Sequence, residues 1–191
     1  MVREDAWLKV VCPATAYDAK GLIKASIRDN DPVIFFEHKG LYRKIKEDLP
    51  TKEYLVPLGK AKVVREGTHL SIITYGAMVW TALEAADTLA TEGVSVEVVD
   101  LRTLLPLDRE TVCASVRKTS KVLLLHEDTR TAGMAGELAI TITENVFEYL
   151  DGPIVRVTAP DTPVPFSTPL EDAFLPNVEK VLEKARWLHC Y

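Results

Sequence analysis

The chain has 191 residues, 47% hydrophobic and 27% charged, with 23 Lys and Arg against 28 Asp and Glu for a formal net charge of −5. That composition suits a packed soluble globule and excludes a disordered segment; the acidic balance excludes nucleic acid as a partner and offers no Lys/Arg block for an anionic membrane. No apolar run approaches the roughly 20 residues of a membrane span, and Cys12, Cys113 and Cys190 are too few and scattered for a disulfide framework, so the chain reads as cytoplasmic and reduced.

Val2-Arg3-Glu4-Asp5 is not the start of a signal peptide. The first β-branched run, Lys9-Val10-Val11-Cys12, predicts a strand, and a second follows at Pro32-Val33-Ile34-Phe35-Phe36. Residues 1–37 therefore hold strand, helix, strand, too little to bury a core, and read as the tail of a domain whose main body is missing. Residues 38–60 are polar and punctuated by Pro50 and Pro57, which suggests a linker. From 61 onward, strands are predicted at 70–75, 94–99, 122–125 and 154–157, with an additional strand at Lys62-Val63-Val64. Between them Val79, Leu83, Ala86 and Ala90, then Leu138, Ile142, Val146 and Tyr149, then Val178, Val181, Leu182 and Ala185, recur at helical spacing. Asp108 and Asn177 stand where N-caps belong, and Gly93 where a left-handed C-cap residue does. Strand and helix in alternation predict an α/β fold, a mainly parallel sheet flanked by helices over 61–191.

In such a sheet ligands bind beyond the carboxyl ends of the strands. Three of those ends carry unusual residues: Asp100-Leu101-Arg102-Thr103, then His126-Glu127-Asp128-Thr129-Arg130 running into Gly133-Met134-Ala135-Gly136-Glu137, and Pro160-Asp161-Thr162-Pro163-Val164-Pro165-Phe166. His126 suits a general base, a metal ligand, an anion contact, or a buried histidine bonded to backbone; no second His or Cys stands at a ligand spacing. Gly133 and Gly136 at a helix start either expose amides to a phosphate or permit close helix–sheet packing. Arg102 and Arg130 are salt-bridge partners or substrate clamps, and the Pro-stiffened, Phe-tipped 161–166 loop is a rigid turn or a contact surface. No P-loop, nucleophile elbow or full dinucleotide fingerprint is present. The residues alone leave a ligand- or partner-binding face at the strand tips, with no self-sufficient catalytic set.

Taken in order, Pro13-Ala14-Thr15-Ala16-Tyr17-Asp18-Ala19-Lys20-Gly21-Leu22, Asp31-Pro32-Val33-Ile34-Phe35-Phe36-Glu37, Leu41-Tyr42-Arg43, Thr74-Tyr75-Gly76, Val99-Asp100-Leu101-Arg102-Thr103-Leu104-Leu105-Pro106-Leu107-Asp108, His126-Glu127 and Gly133-Met134-Ala135-Gly136-Glu137 resemble the C-terminal half of the beta subunit, or beta half of a fused chain, of thiamine-diphosphate-dependent 2-oxo acid dehydrogenases of the transketolase-like superfamily. The resemblance implies that residues 1–37 end a pyrimidine-binding domain and that 61–191 form a transketolase C-terminal domain. It implies oxidative decarboxylation of a branched-chain 2-oxo acid or pyruvate by the complete enzyme, with thiamine diphosphate and Mg2+ held elsewhere, so no catalytic or cofactor-binding residue is assigned here. It further implies an alpha subunit, a second beta subunit and a dihydrolipoyl acyltransferase core as partners, the last met by the C-terminal helix and Tyr191. If the source is eukaryotic, the compartment would be the mitochondrial matrix.

The resemblance places one site partly in this chain, a structural monovalent cation (K+) with oxygens from Ser26, Asp29 and Asp31; without it, the same residues are a turn closing a helix. One departure stands out. Ala6-Trp7-Leu8 runs directly into Lys9-Val10-Val11, without the His-x-Pro-Gly-like stretch usual in the family, which reads as a severed portion of a larger machine. Two other functions fit the residues: a free-standing anion-binding module at Gly133–Gly136, or a catalytically silent beta-like assembly partner.

Overall fold

The computed structural model describes residues 8–191; Ala6 and Trp7, where the sequence departs from the resembled pattern, lie outside them. A small unit comes first: β1 (Lys9–Val11), α1 (Ala16–Arg28) and β2 (Val33–Phe35), followed by the single turn α2 (Leu41–Lys44). The Thr15 hydroxyl caps α1 by accepting from the Asp18 amide. The larger unit runs β3 (Lys62–Arg65), β4 (Leu70–Thr74), α3 (Met78–Thr91), β5 (Val96–Asp100), β6 (Thr103–Leu105), α4 (Arg109–Thr119), β7 (Val122–Thr129), α5 (Met134–Val146), β8 (Val155–Ala159), α6 (Thr168–Phe174) and α7 (Val178–Cys190). Asp108 and Asn177 cap α4 and α7 as their types predict.

The main sheet has the order β3-β5-β4-β7-β8; β3 is antiparallel to β5 and every other pair is parallel. Alternate strand residues face opposite layers. Leu70, Ile72, Val96, Val98, Leu123 and Leu125 pack under α3 and α7, whereas Ile73, Val99, Val122 and Leu124 pack under α4 and α5. Both faces are covered, so these strands read as near-continuous apolar runs rather than alternating ones. Each fully buried Leu or Ile contributes roughly 1.5–3 kcal/mol, and the buried rows on both faces fix the register. At the amino ends of β4 and β5 the α4 layer turns polar. Ser71 Oγ lies 2.6 Å from Ser115 Oγ and 2.7 Å from Thr119 Oγ1, and the Ser115 hydroxyl donates to Glu97 at 2.6 Å. Lys118 closes on Glu97 as well, so this buried carboxylate is fully satisfied.

Three features differ from the sequence reading. The strand predicted at 122–125 continues to Thr129, so His126, Glu127 and Asp128 lie inside it rather than beyond its end. The small unit gains a third strand from far along the chain: β6 pairs antiparallel with β1, giving the order β2-β1-β6. The polar 38–60 stretch is not wholly free, because Val56 is 2% exposed and joins Val11 and Leu22 in a second core, with Tyr54 and Leu58 packed against it. Gly21 permits that approach; a Cβ there would meet Val56 Cγ2 at 2.4 Å.

Candidate functional site at the strand tips

The strand order reverses at β4, and a reversal of this kind opens a crevice at the carboxyl ends of the strands. Here the crevice is filled. Tyr75, just past β4, stacks on His126 of β7 with ring centroids 6.1 Å apart. His126 is 1% exposed, and its Nε2 accepts the Ala135 amide of α5 at 3.1 Å. That bond requires a neutral imidazole, and burial holds its pKa below the usual 6.5. The backbone-bonded reading of His126 is therefore the one that holds. Gly133 must be glycine because a Cβ would meet Thr129 O at 2.2 Å and His126 Cε1 at 2.8 Å, whereas Gly136 has open space around it. One amide of the α5 first turn is thus spent on His126, which weakens the phosphate-cradle reading of this helix start.

Next to it, over β4 and β5, sits the chain's own first unit. Arg102 adopts φ +55 directly after β5, and its guanidinium reaches back to donate to Asp18 Oδ1 of α1 at 3.1 Å and to the carbonyls of Lys60 and Ala61. Asp18, 84 residues earlier, is fully buried and also accepts from the Thr15 hydroxyl at 2.8 Å. The Cys12 amide donates to Arg102 O at 2.8 Å, and the Trp80 indole of α3 donates to Ala14 O at 2.8 Å. His38 Nε2 approaches Glu127 of β7 at 3.3 Å across the same seam. Arg102 is thus a buried clamp between the two units.

Asp100 completes the seam. One carboxylate oxygen accepts the Arg102 amide at 3.0 Å; the other is buried without a partner, as is the Thr74 hydroxyl registered beside it on β4. Burial, reinforced by the negative Asp18, pushes the Asp100 pKa up to about 7. Burial also raises the Cys12 thiol well above its ordinary value, which leaves it unreactive at neutral pH.

Two of the cavities near strand ends bear on the sequence reading. One of about 650 Å3 lies between β7, β8 and the start of α5, lined by Arg130, Thr131, Gly133, Glu137, Arg156 and Asp161. Its two guanidinium groups are balanced by two carboxylates, and Asp161 is occupied by the amide and hydroxyl of Thr131 at 2.8 and 2.7 Å. The other, about 400 Å3, is mostly apolar and lies past β1 and β2, between Pro13–Ala19 and Glu37–Ile45.

Sequence comparison gives this arrangement a family. The transketolase C-terminal domain matches residues 59–181, and the transketolase pyrimidine-binding domain matches residues 2–44. The chain belongs to the transketolase C-terminal domain family. It is 51% identical over 186 residues to the pyruvate dehydrogenase E1 component subunit beta of Bacillus subtilis (strain 168), covering 97% of this chain and 57% of that one. It is 49% identical over 175 residues to the 2-oxoisovalerate dehydrogenase subunit beta of the same organism, covering 91% and 54%. A solved structure titled split gene transketolase, inactive beta4 tetramer, superposes with a TM-score of 0.76 at 25% identity, over 96% of this chain and 58% of that one. The chain thus spans a little over half the length of the curated relatives it matches.

The remaining sequence-predicted residues of this transketolase-family chain fall elsewhere. Ser26, Asp29 and Asp31 close α1, but Lys9 Nζ occupies the carboxylates, 2.8 and 2.7 Å from the two oxygens of Asp29 and 3.4 Å from Asp31. Lys9 holds the Asp29 pKa below the usual range. The Ser26 carbonyl accepts the Asp29 amide at 3.3 Å, and its hydroxyl donates to Leu22 O. The side chains therefore do not fit an added cation, and only backbone carbonyls are left to one. Among the described residues no group of three His, Cys, Asp or Glu could hold a metal. The apolar cavity past β1 and β2 is lined by no Lys or Arg to meet a diphosphate, and the buried carboxylates Asp18 and Glu97 are committed to the seam and the α4 network. No helix among the described residues is long and apolar enough to cross a membrane. Tyr191 is exposed at the end of α7, its ring 5.4 Å from that of Trp187. Phe166 is fully exposed at the tip of its loop. Sequence reading quoted Asp18 and Thr74 only within family motifs and passed over Trp80, since only their distant partners give them a role.

Proposed function

We propose that this chain is part of the beta subunit of a 2-oxo acid dehydrogenase decarboxylating component. In the complete enzyme, thiamine diphosphate with Mg2+ supplies the carbanion chemistry that decarboxylates pyruvate or a branched-chain 2-oxo acid and passes the acyl group to lipoyl. The observation that carries this reading is the 48–51% identity to beta subunits across at least nine-tenths of the chain. Identities of 51% and 49% to the two substrate types do not separate them.

On this reading the chain contributes shape and contact area. The Arg102–Asp18 clamp fixes the two units as one platform for an alpha subunit and a second beta subunit, and a K+ ion, where present, sits on the carbonyls of Ser26, Asp29 and Asp31. The exposed Trp187–Tyr191 aromatic pair and the chain's negative charge suit docking to a basic domain of the dihydrolipoyl acyltransferase core. The likeness to a structure titled an inactive beta4 tetramer favours a second reading, a beta-like partner that assembles without catalysing.

One experiment separates these from a self-sufficient enzyme. The purified chain, supplied with thiamine diphosphate, Mg2+, pyruvate or 3-methyl-2-oxobutanoate, and an artificial electron acceptor, is expected to show no turnover, and calorimetry no micromolar binding of the cofactor. Adding an alpha subunit of a relative and following sedimentation is expected to give a larger complex. Unassisted turnover would overturn the assignment of the reacting groups to other polypeptide.

A further inference from the structure

The cavity of about 400 Å3 in the first unit lies past the carboxyl ends of the parallel pair β1 and β2, the place where α/β sheets hold ligands. Its size falls within the roughly 300–1,000 Å3 of small-molecule sites. Ala14, Ala16 and Ala19 form one wall and Leu41 and Ile45 the other. Ala16 and Ala19 stand one turn apart on the same face of α1, and their short side chains leave the space open. The polar groups of the lining already have protein partners. The Tyr42 hydroxyl donates to Glu37 at 2.6 Å, the Thr15 hydroxyl donates to Asp18 at 2.8 Å, and His38 Nε2 lies 3.3 Å from Glu127. No Lys or Arg lines the cavity, so a carboxylate or phosphate entering it would lose water and meet the Glu37 carboxylate with no cation in return. Such a space favours an uncharged, mainly apolar occupant.

Of the substrates and cofactor named for the complete enzyme, the 2-oxo acid and thiamine diphosphate carry negative charge. The lipoyl group does not: it is a dithiolane ring on an aliphatic chain that ends in a neutral amide. We propose that this cavity is the subsite that seats the dithiolane end of the lipoyl group. The proposal rests on the 2-oxo acid dehydrogenase reading and adds to it the residues of this chain that touch the acyl acceptor. Ala16, Ala19, Leu41 and Ile45 supply the apolar contact, and Glu37 turns anions away.

The test is a titration of the 15N-labelled full chain with lipoamide and, separately, with lipoic acid, followed by NMR at neutral pH. Lipoamide is expected to shift the amide peaks of Ala14, Ala16, Ala19 and Leu41 to saturation, along with the indole peak of Trp80, whose N–H donates to Ala14 O at 2.8 Å. Lipoic acid has the same ring and chain but ends in a carboxylate. It is expected to bind at least about threefold more weakly, and Glu37→Gln is expected to narrow that gap. Ala19→Leu, which fills the space from α1, is expected to weaken lipoamide binding about tenfold. Should that variant fail to fold, Leu41→Ser removes apolar wall instead and is expected to weaken binding about threefold. Shifts that do not saturate or that miss the lining residues, lipoic acid binding as tightly as lipoamide, or undiminished binding in the folded variants would overturn the proposal. The readout needs neither turnover nor an alpha subunit, so failure here removes the subsite alone, whereas failure of the sedimentation assay above removes the reading beneath it.

Discussion

Replacing Arg102 with methionine tests whether the clamp holds the two units together. Methionine keeps a Cβ and a comparable apolar stem, so the strained φ of +55 is common to both proteins and cancels. What is lost is the guanidinium, with its bonds to Asp18 and to the carbonyls of Lys60 and Ala61. Asp18 is then left as a buried carboxylate accepting only from the Thr15 hydroxyl. Removing one partner of a buried pair costs about 3–5 kcal/mol, most of it the stranded charge rather than the lost contact. The structure therefore predicts that Arg102→Met lowers unfolding free energy by about 4 kcal/mol at pH 7, measured by urea titration with far-UV circular dichroism. Asp18→Asn made alongside removes the charge that is stranded. The double variant is expected to be less destabilised than the sum of the two singles by about 1–3 kcal/mol. A loss under about 1 kcal/mol for Arg102→Met, or strict additivity in the cycle, would refute the clamp.

Three further outcomes follow from burial and close approach. Because the Asp100 pKa rises from 3.8 unfolded to about 7 folded, the folded state binds the extra proton and stability falls as pH climbs through that window; the displacement of about 3 units is worth about 4 kcal/mol, and Asp100→Asn should flatten the slope in urea titrations between pH 4 and 8. His126 has the opposite sign. Its folded pKa lies below 6.5, so its contribution is present above 6.5 and is lost as pH falls below it; thermal melts of His126→Gln should decline less between pH 6.5 and 5 than those of the wild type, and an unchanged decline would contradict the neutral acceptor role. Gly67→Ala places a Cβ 2.1 Å from the Glu97 amide nitrogen and the Val96 carbonyl carbon, so the turn before β4 must shift from β5; a loss above about 2 kcal/mol is expected, and a near-neutral melt would show that the turn yields freely.

The elements of the main sheet were readable because their signals are local. Val79, Leu83, Ala86 and Ala90 repeat at the helical period, and the central strands β4, β5 and β7 carry buried β-branched or leucine-rich runs, so position in the chain is enough to place them. Asp108 and Asn177 announce their helix starts through a side chain that competes for the next free amide. The end of β7 was not readable in this way. His126-Glu127-Asp128 looks like a polar turn, and it is held in the strand by the β8 pairings of Leu125 and Thr129 on either side and by Tyr75 packing on the histidine. The cation reading of Ser26, Asp29 and Asp31 likewise met a competitor from 20 residues earlier, the Lys9 ammonium.

The sequence by itself thus determined the α/β class, the helix caps and the family, since these depend on periodicity, short-range hydrogen bonding and ordered motifs. Only the tertiary structure decided that β6 completes the first unit's sheet, that Val56 helps to core it, and that Arg102 finds Asp18. Those pairings join residues dozens of positions apart, and nothing in the local pattern distinguishes a buried arginine with one partner from a solvated arginine with many. Burial makes that distinction, because a charge withdrawn from water must find its counterpart wherever the chain has folded to supply one.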